Sequence, residues 1–379
     1  MTGGGWAEVV FWVSMAGVFY PYAGYPLLLA AMGRLVRRPS VAPADKLPRL
    51  TMIVPVHNEA SRVTAKIENT LALDYPAERL QVIFVSDGST DSTVELVKNA
   101  PGDRVVLVEL TGRGGKAQAL NAGLARAEGD ILVFTDASIA LEPGALRALV
   151  APFADPRIGC VSGEDRIADG GGEGLYGRYE LLLRRLESDV DSIVGASGSF
   201  YAQRRTLCGE FPEGMAPDFL SVLRTVEQGY RAVSESAAVG TMSSVKDPKR
   251  EFERKVRTLL RGMTALFAHK RLLNPGRHGA FAIALWSHKI LRWTVPFFLV
   301  LAFVSALAVV SRPFYAVAFA AQLLFYLCGL GALAQWAGLH HTTPGRIALY
   351  FSSVNAAILA AWVQYWSGVR QELWTPSQR

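Results

Sequence analysis

The sequence predicts an α/β domain on a mostly parallel, Rossmann-like sheet, joined to amphipathic interfacial helices and membrane-spanning α-helices. Three observations point there. From Leu50 onward, short β-branched or apolar runs alternate with helix-like stretches, the pattern of parallel βαβ units. Several of those runs end in an acidic residue, at the strand ends where open α/β sheets bind ligands. Long apolar stretches with basic flanks stand at both ends of the chain, as bilayer-spanning helices do.

Composition narrows the class. The 379 residues are 50% hydrophobic and carry a net charge of +6, which is too apolar for a wholly soluble chain. Between Arg254 and Gln371 there is no Asp or Glu, so every charge in that third is basic. Such a balance suits anionic headgroups or an anionic ligand. The basic residues border apolar runs, so nucleic acid is not the expected partner. Cys160, Cys208 and Cys328 lack C-x-x-C spacing, and neither a disulfide framework nor a zinc site is expected.

Residues 1–33 are expected to hold an N-terminal transmembrane helix. Trp6 to Met32 is apolar apart from Glu8 and is followed by Arg34, Arg37 and Arg38. The positive-inside rule then places the N-terminus outside and the next domain in the cytoplasm, in an integral protein of the inner or plasma membrane. Residues 34–49, with Pro39, Pro43 and Pro48, read as a linker. Residues 50–245 form the α/β domain. Its strands are expected at Leu50–Val56, Gln81–Val85, Val105–Glu109, Ile131–Phe134 and Ile158–Ser162. The intervening helices are expected at Ala60–Leu73, Asp91–Asn99 and Lys116–Ala127, with a long one at Gly174–Ile193.

Residues 246–292 turn amphipathic. Arg250, Arg254, Arg257 and Arg261 follow helical spacing and form one stripe, with Phe252, Val256, Leu259, Met263 and Leu266 opposite. That helix either docks on its own domain with a solvated basic face or lies at the membrane interface with its arginines on phosphates. Phe281–Trp293, with His288, Lys289 and Arg292, reads as a second interfacial piece. Residues 293–367 hold two or three spans, drawn from Trp293–Val310, Tyr315–Trp336 and Ile347–Trp366. The last contains Asn355 and Gln364 and would also suit a re-entrant helix. Residues 368–379 are a tail.

Five segments carry candidate chemistry. The first strand runs into His57-Asn58-Glu59, and the second into Ser86-Asp87-Gly88-Ser89-Thr90-Asp91. Asp87 stands at the strand tip, placed to accept hydrogen bonds from a base or ribose; Asp91 reads as a helix cap. Gly112-Arg113-Gly114-Gly115-Lys116 opens a helix containing Asn121. Its glycines would let backbone amides reach phosphate oxygens, and Lys116 adds charge. It is not a Walker loop, because Leu110 and Ala117 occupy the defining positions. The fourth segment is Thr135-Asp136-Ala137-Ser138, whose carboxylate suits a magnesium-bound diphosphate. The fifth is Ala216-Pro217-Asp218-Phe219, where an acid follows a proline at a helix start.

Taken in order, V-P-V-H-N-E, V-S-D-G-S-T-D, G-G-K-A-Q-A-L-N-A-G, F-T-D-A-S, G-A-S-G-S-F-Y and A-P-D-F-L resemble the family 2 inverting glycosyltransferases, in their membrane-bound, polysaccharide-synthase-like branch. The resemblance implies a GT-A fold and a nucleotide-diphosphate sugar donor, most often a uridine one, with Mg2+ or Mn2+. It implies Glu59 and Asp87 on the nucleoside, Lys116 near the donor, and Asp136 with Ser138 on the metal. Arg257 would meet the diphosphate, Gly198 and Ser199 the acceptor, and Asp218 would be the general base. The acceptor would be a growing glycan or a lipid-linked one at the membrane, in cell-surface or exopolysaccharide synthesis. Two motifs depart from the family pattern. Ser138 stands where a second Asp is usual, and Arg254 and Thr258 replace the Gln and Trp of the processive motif. A processive, polymer-secreting synthase and a polyprenyl-phosphate sugar synthase are the neighbouring readings; a catalytically silent membrane scaffold is the reading from another class.

Overall fold

The computed structural model describes residues 3–36, 46–167, 172–243 and 247–369. The chain opens with α1 (Gly3–Phe19), a π-helical turn at Tyr20–Gly24, and α2 (Tyr25–Gly33). Arg37 and Arg38, most of the 34–49 linker, residues 168–171, the 245/246 boundary and the tail from residue 370 lie outside the described residues.

The α/β domain follows the expected alternation. It comprises β1 (Leu50–Val56), α3 (Ala60–Leu71), β2 (Leu80–Asp87), α4 (Thr93–Lys98), β3 (Val105–Leu110), α5 (Gly115–Leu124) and β4 (Ile131–Thr135). Next come β5 (Ala140–Leu141), α6 (Ala145–Val150), β6 (Ile158–Ile167), α7 (Gly172–Val190), β7 (Phe200–Arg204), α8 (Pro217–Glu227) and β8 (Arg231–Met242). The eight strands form one sheet in the order β3-β2-β1-β4-β7-β6-β8-β5. β1 pairs in parallel with β2 and β4, β2 with β3, and β6 with β8. β7 runs antiparallel to both β4 and β6.

Burial explains why β1 reads as an unbroken apolar run. Every residue from Leu50 to Val56 is buried, because crossover helices cover both faces of a parallel sheet. Ile53, Ile83, Leu132 and Phe134 face the core shared with α5 and α8, while Met52, Val54, Phe84 and Val133 face the core under α3 and α6. The loops after β1, β2, β3 and β4 therefore open along one edge. This is the crevice where such sheets take ligands.

Past residue 247 the chain is helical: α9 (Pro248–Ala268), α10 (Pro275–Ala284), a π-helical turn at Leu285–Ile290, α11 (Leu291–Ala308), α12 (Pro313–Leu333) and α13 (Thr343–Trp366). Three stretches among the described residues are long and apolar enough to cross a membrane: Pro275–Ala308, Pro313–Leu333 and Thr343–Trp366. The expected interfacial piece Phe281–Trp293 is thus continuous with the following span. Phe281, Ala282, Ala284 and Leu285 are buried.

The all-basic final third finds part of its counter-charge elsewhere in the chain. Glu180 of α7 meets Arg292 at 2.6 Å and His288 at 3.1 Å, and Glu187 meets the other ring nitrogen of His288 at 2.7 Å. Tyr25 donates to Glu187 at 2.9 Å, which ties α2 into the same knot. Glu8 of α1 pairs with Arg312. Sequence distance hid these pairs: the partners lie about 100 residues and more apart. Buried ions need such partners, since desolvation costs several kcal/mol per unpaired charge, in round terms.

The arginine stripe on α9 is neither wholly solvated nor spread along a surface. Its apolar side behaves as the spacing predicts, with Val256, Met263 and Leu266 buried. The stripe itself descends from exposed Arg250, through half-buried Arg254 and Arg257, to buried Arg261.

Candidate active site

Each strand tip contributes one constraint. After β1, Asn58 adopts φ +52°, a conformation that Asn tolerates better than most residues. Its side-chain oxygen accepts the Thr90 amide at 2.8 Å, pinning the β1 tip to the β2 tip. Asp91 accepts the amides of Ala60 and Thr93, so it serves the starts of both α3 and α4. Glu59 is buried at the head of α3, with Arg62 3.2 Å away. Burial pushes the Glu59 carboxyl above the usual carboxylate range, and Arg62 offsets only part of that.

At the β2 tip, Asp87 is fully buried. The Gly114 amide donates to its Oδ1 at 2.7 Å, and the Gly115 amide reaches its two oxygens at 3.1 and 2.9 Å. The glycine-loop amides that the sequence offered to phosphate oxygens are therefore engaged by Asp87. Gly88 adopts φ +61°, and a Cβ there would stand 2.8 Å from the Gly112 carbonyl carbon. Only glycine lets the β2 turn press so closely on the loop.

Lys116, at the start of α5, extends across the crevice. Its Nζ lies 2.6 Å from Asp136 Oδ1 and donates to the Gly198 carbonyl at 3.2 Å. The Asp136 amide donates to the Ser199 carbonyl at 3.1 Å. One lysine thus joins the β4 tip to the turn before β7. That turn is set by Ser197, which is buried and whose hydroxyl donates to Asp165. The same oxygen accepts the amides of Ser199 at 3.1 Å and Phe200 at 2.9 Å.

Asp218 closes the far side. Pro217 begins α8 with its fixed φ, and Asp218 follows in the first turn, half-buried. Lys116, Asp136, Gly198 and Asp218 line one narrow cleft, floored by Phe134, Leu120 and Tyr201. A Cβ on Gly198 would lie in ordinary contact with Asp218 Oδ2, at 3.8 Å, so Gly198 stands directly beside that carboxylate. Burial pushes the Asp218 carboxyl up; Lys116, its own amide, Arg184 and Lys289 oppose the rise without cancelling it.

Two buried cations near the cleft were given no role there by the sequence. Lys66 of α3 is buried beneath the β4 tip, donating to Thr135 Oγ1 at 3.0 Å and to the Ile139 carbonyl at 2.8 Å. Burial lowers its pKa to about 7, against an opposing effect of Asp136. Its signal was a lysine on the apolar face of α3, in helical register with Val63, Ile67 and Thr70. Arg261, flagged only as part of a stripe, is 6% exposed, and its Nε and Nη2 have no hydrogen-bond partner among the described residues. Its charge is felt by Arg257, one turn earlier, and by Asp218. Arg257 is half-buried and makes no ion pair among the described residues.

The structure thus brings Lys116, Asp136, Gly198 and Asp218 together. Ser199 joins them through its backbone, Asp87 stands behind the glycine loop, and Glu59 lies at the β1 tip. Ser138 is half-buried on the turn two residues beyond Asp136. As metal donors, Asp136 and Ser138 offer one carboxylate and one hydroxyl, and among the described residues no three His, Cys, Asp or Glu gather. That set fits a hard divalent ion brought in on diphosphate oxygens, which needs only one or two protein carboxylates. It does not fit a metal held by protein ligands alone.

Residues 51–209 match the family described as Glycosyl transferase family 2. Over 125 residues the chain is 34% identical to a poly-beta-1,6-N-acetyl-D-glucosamine synthase of Staphylococcus aureus, covering 32% of this chain and 30% of that protein. Over 128 residues it is 31% identical to the probable glycosyltransferase YdaM of Bacillus subtilis, again covering 32% and 30%. The matches therefore span under a third of the length of these curated relatives. Among solved structures, the mannosyltransferase PcManGT from Pyrobaculum calidifontis, in complex with GDP-Man and Mn2+, has a TM-score of 0.74 and 27% identity. That likeness covers 95% of this chain and 99% of the other, helices past residue 247 included.

Proposed function

Taking as premise that this chain is a family 2 glycosyltransferase with a GT-A fold, we propose that it transfers a sugar from a nucleoside diphosphate donor to a hydroxyl of a lipid-linked glycan, with inversion, at the cytoplasmic face of a membrane. One observation carries the reading: a half-buried Asp218 with a raised pKa faces the Lys116–Asp136 pair across a single narrow cleft. A base on one side and a diphosphate site on the other are what an in-line displacement needs.

The roles follow from position. Glu59 and the β2 tip at Asp87 flank the nucleoside, and Asp87 also fixes the glycine loop through its two amides. Arg257 and Arg261 lie one turn apart on α9, neither makes an ion pair among the described residues, and Arg261 is within electrostatic reach of Asp218. Two guanidiniums without carboxylate partners are costly unless an anion enters, and the donor diphosphate is that anion. Lys116 holds Asp136 in register and brings a positive charge beside the leaving group. Asp136, with Ser138 on the same turn, would hold a divalent ion that acts as a Lewis acid on the leaving diphosphate. Asp218 takes the proton from the acceptor hydroxyl, which enters beside Gly198 and Ser199. Its raised pKa makes it a stronger base than an ordinary aspartate, and a positioned base is worth roughly 10²–10⁴ in rate.

The family resemblance implies most often a uridine donor, whereas the whole-length structural neighbour holds GDP-Man. The test therefore offers purified protein both uridine and guanosine diphosphate sugars with Mg2+ or Mn2+ and follows release of nucleoside diphosphate. Release from one of them supports the reading. Absence of release from every donor, with and without membrane lipid extract as acceptor, contradicts it and leaves the silent-scaffold alternative.

A further inference from the structure

Two short π-helical turns, Tyr20–Gly24 after α1 and Leu285–Ile290 before α11, interrupt the membrane-side helices. Such turns are rare and frequently mark functional sites. Here the two touch, with the Tyr20 and Ser287 hydroxyls 3.0 Å apart. Both also grip α7. Tyr179 of α7 donates to the Pro21 and Tyr22 carbonyls at 3.2 and 3.0 Å. His288 presents one ring nitrogen to Glu180 and the other to Glu187, both on α7.

Glu187, which is fully buried, carries the contact onward. Its Oε1 meets His288 Nδ1 at 2.7 Å and accepts the Tyr25 hydroxyl at 2.9 Å, while its Oε2 accepts the Val194 amide at 3.1 Å. Val194 belongs to residues 191–199, the loop between α7 and β7 that ends in Gly198 and Ser199. Other ties of that loop stay inside the α/β domain: Ile193 donates to the Ala232 carbonyl at 2.8 Å, and the Ser197 hydroxyl donates to Asp165. Glu187 ties it instead to the membrane helices. Lys289, in the same π-turn as His288, sits between this loop and the start of α8. Its Nζ lies 5.2 Å from the centroid of the Phe219 ring, and a Cβ on Gly195 would lie 3.6 Å from that nitrogen. Phe219 directly follows Asp218. One membrane-side turn thus reaches both walls of the acceptor half of the cleft. The donor half is fixed within the sheet, by Asp87 on the glycine-loop amides.

We propose that the membrane helices position the acceptor half of the cleft through the chain His288–Glu187–Val194, with Lys289 spacing the loop from the start of α8. His288 and Glu187 lie outside the cleft lining and act through the loop, so they are positioning residues. The inference rests on the glycosyl-transfer reading and says how the wall at Gly198 and Ser199 is set. Loss of the chain should impair acceptor use and spare donor binding.

The test compares full-length protein in detergent with Glu187→Gln, His288→Phe, the double variant and Tyr25→Phe. Amide hydrogen exchange is followed over residues 191–199 and over the glycine loop at 112–116. Transfer is measured against a titration of membrane lipid extract, and nucleotide-sugar affinity is measured separately. Bonds to a charged group are strong, so Glu187→Gln and His288→Phe should each raise the half-saturating extract concentration at least about tenfold. Exchange should quicken over 191–199 and not over the glycine loop, with nucleotide-sugar affinity unchanged. Residues acting as one chain are not additive, so the double variant should be no worse than the worse single one. Tyr25→Phe removes one hydrogen bond and no charge; it should show the same pattern at about threefold, which keeps the test open should the charged-network variants fail to fold. Unchanged extract dependence or unchanged 191–199 exchange in the folded variants overturns the proposal. So does an equal loss of donor affinity, which would mean general loosening, or a double variant that multiplies the single losses. Should the unaltered protein release no nucleoside diphosphate from any donor, the transfer reading fails, while loop exchange in the variants still decides whether the membrane helices hold the loop.

Discussion

Lys116 and Asp136 form an ion pair at 2.6 Å across the mouth of the cleft, and the same ammonium donates to the Gly198 carbonyl at 3.2 Å. The residue expected to bind a metal is thus already engaged by the residue expected to meet the donor. A charge-assisted bond of this kind is worth about 1.5–3 kcal/mol. Lys116→Met should lower kcat/KM for the nucleotide sugar by about 10- to 100-fold. It should also lower the metal concentration needed for half activity, because Asp136 is released. Initial rates over a Mn2+ titration measure both.

Asp218 gives a paired expectation for pH and stability. The acid must be ionised to act as a base, so the rate should fall as pH drops through its folded pKa. That acidic limb should begin above the ordinary aspartate value of about 3.9, since burial raises the pKa. The same shift has a fixed sign for folding. The folded state holds this proton more tightly than the unfolded state, so stability from Asp218 falls as pH rises through the interval between the two pKa values. Asp218→Asn should therefore melt no lower than the parent at neutral pH, and any gain should shrink as pH is lowered. Thermal melts of both proteins across pH provide the comparison.

Asp87 is expected to act through the loop that it holds. Asparagine offers one acceptor oxygen where the carboxylate takes three short contacts from Gly114 and Gly115. Asp87→Asn should cost about 1–3 kcal/mol and weaken donor binding. Gly88→Ala should do likewise, since φ +61° alone disfavours a Cβ by about 1–2 kcal/mol and the Gly112 backbone blocks it. Tm and nucleotide-sugar affinity should fall together in both variants.

Lys66 is a buried cation whose hydrogen-bond partners among the described residues are neutral oxygens. Burial lowers its pKa to about 7, so the unfolded chain binds this proton more tightly than the folded one. Its penalty is full below pH 7 and is relieved as pH rises from about 7 towards the unfolded value near 10.4. The parent protein should gain stability over that interval, by an amount on the order of 4 kcal/mol from this group. Lys66→Met should lack that gain. Melting temperatures at pH 7 and pH 9.5 measure it.

The sheet was legible because its strands are buried on both faces and so read as continuous apolar runs. β1 has the expected bounds, Leu50–Val56. The strands on the other side of β4 were harder to see. β7 (Phe200–Arg204) is short and ends in Gln203-Arg204, and β8 (Arg231–Met242) mixes exposed and buried residues without clean alternation. They serve an irregular flank, where pairing is antiparallel or shifted by bulges.

For the site, positions at strand ends and helix starts picked out Lys116, Asp136 and Asp218, and the family resemblance added Gly198; all four line one cleft. It could not show who bonds to whom. Asp87 takes the loop amides, Lys116 takes Asp136, and the membrane-side cations take Glu180 and Glu187 from α7, pairings that only tertiary structure brings within reach. Arg261 and Lys66 escaped for a related reason. Each sits where helical periodicity alone assigns a solvated stripe or a core position, and only burial reveals a charge that makes no ion pair among the described residues.

Product formation is the most direct measurement of the central claim. Purified protein is given its released-donor partner, Mn2+ and membrane lipid extract, and the lipid fraction is weighed by mass spectrometry. The expected result is a lipid-linked product heavier by one transferred sugar, reduced about 10²–10⁴-fold by Asp218→Asn while nucleotide-sugar binding is retained. Product formation by Asp218→Asn at close to the parent rate would contradict the account.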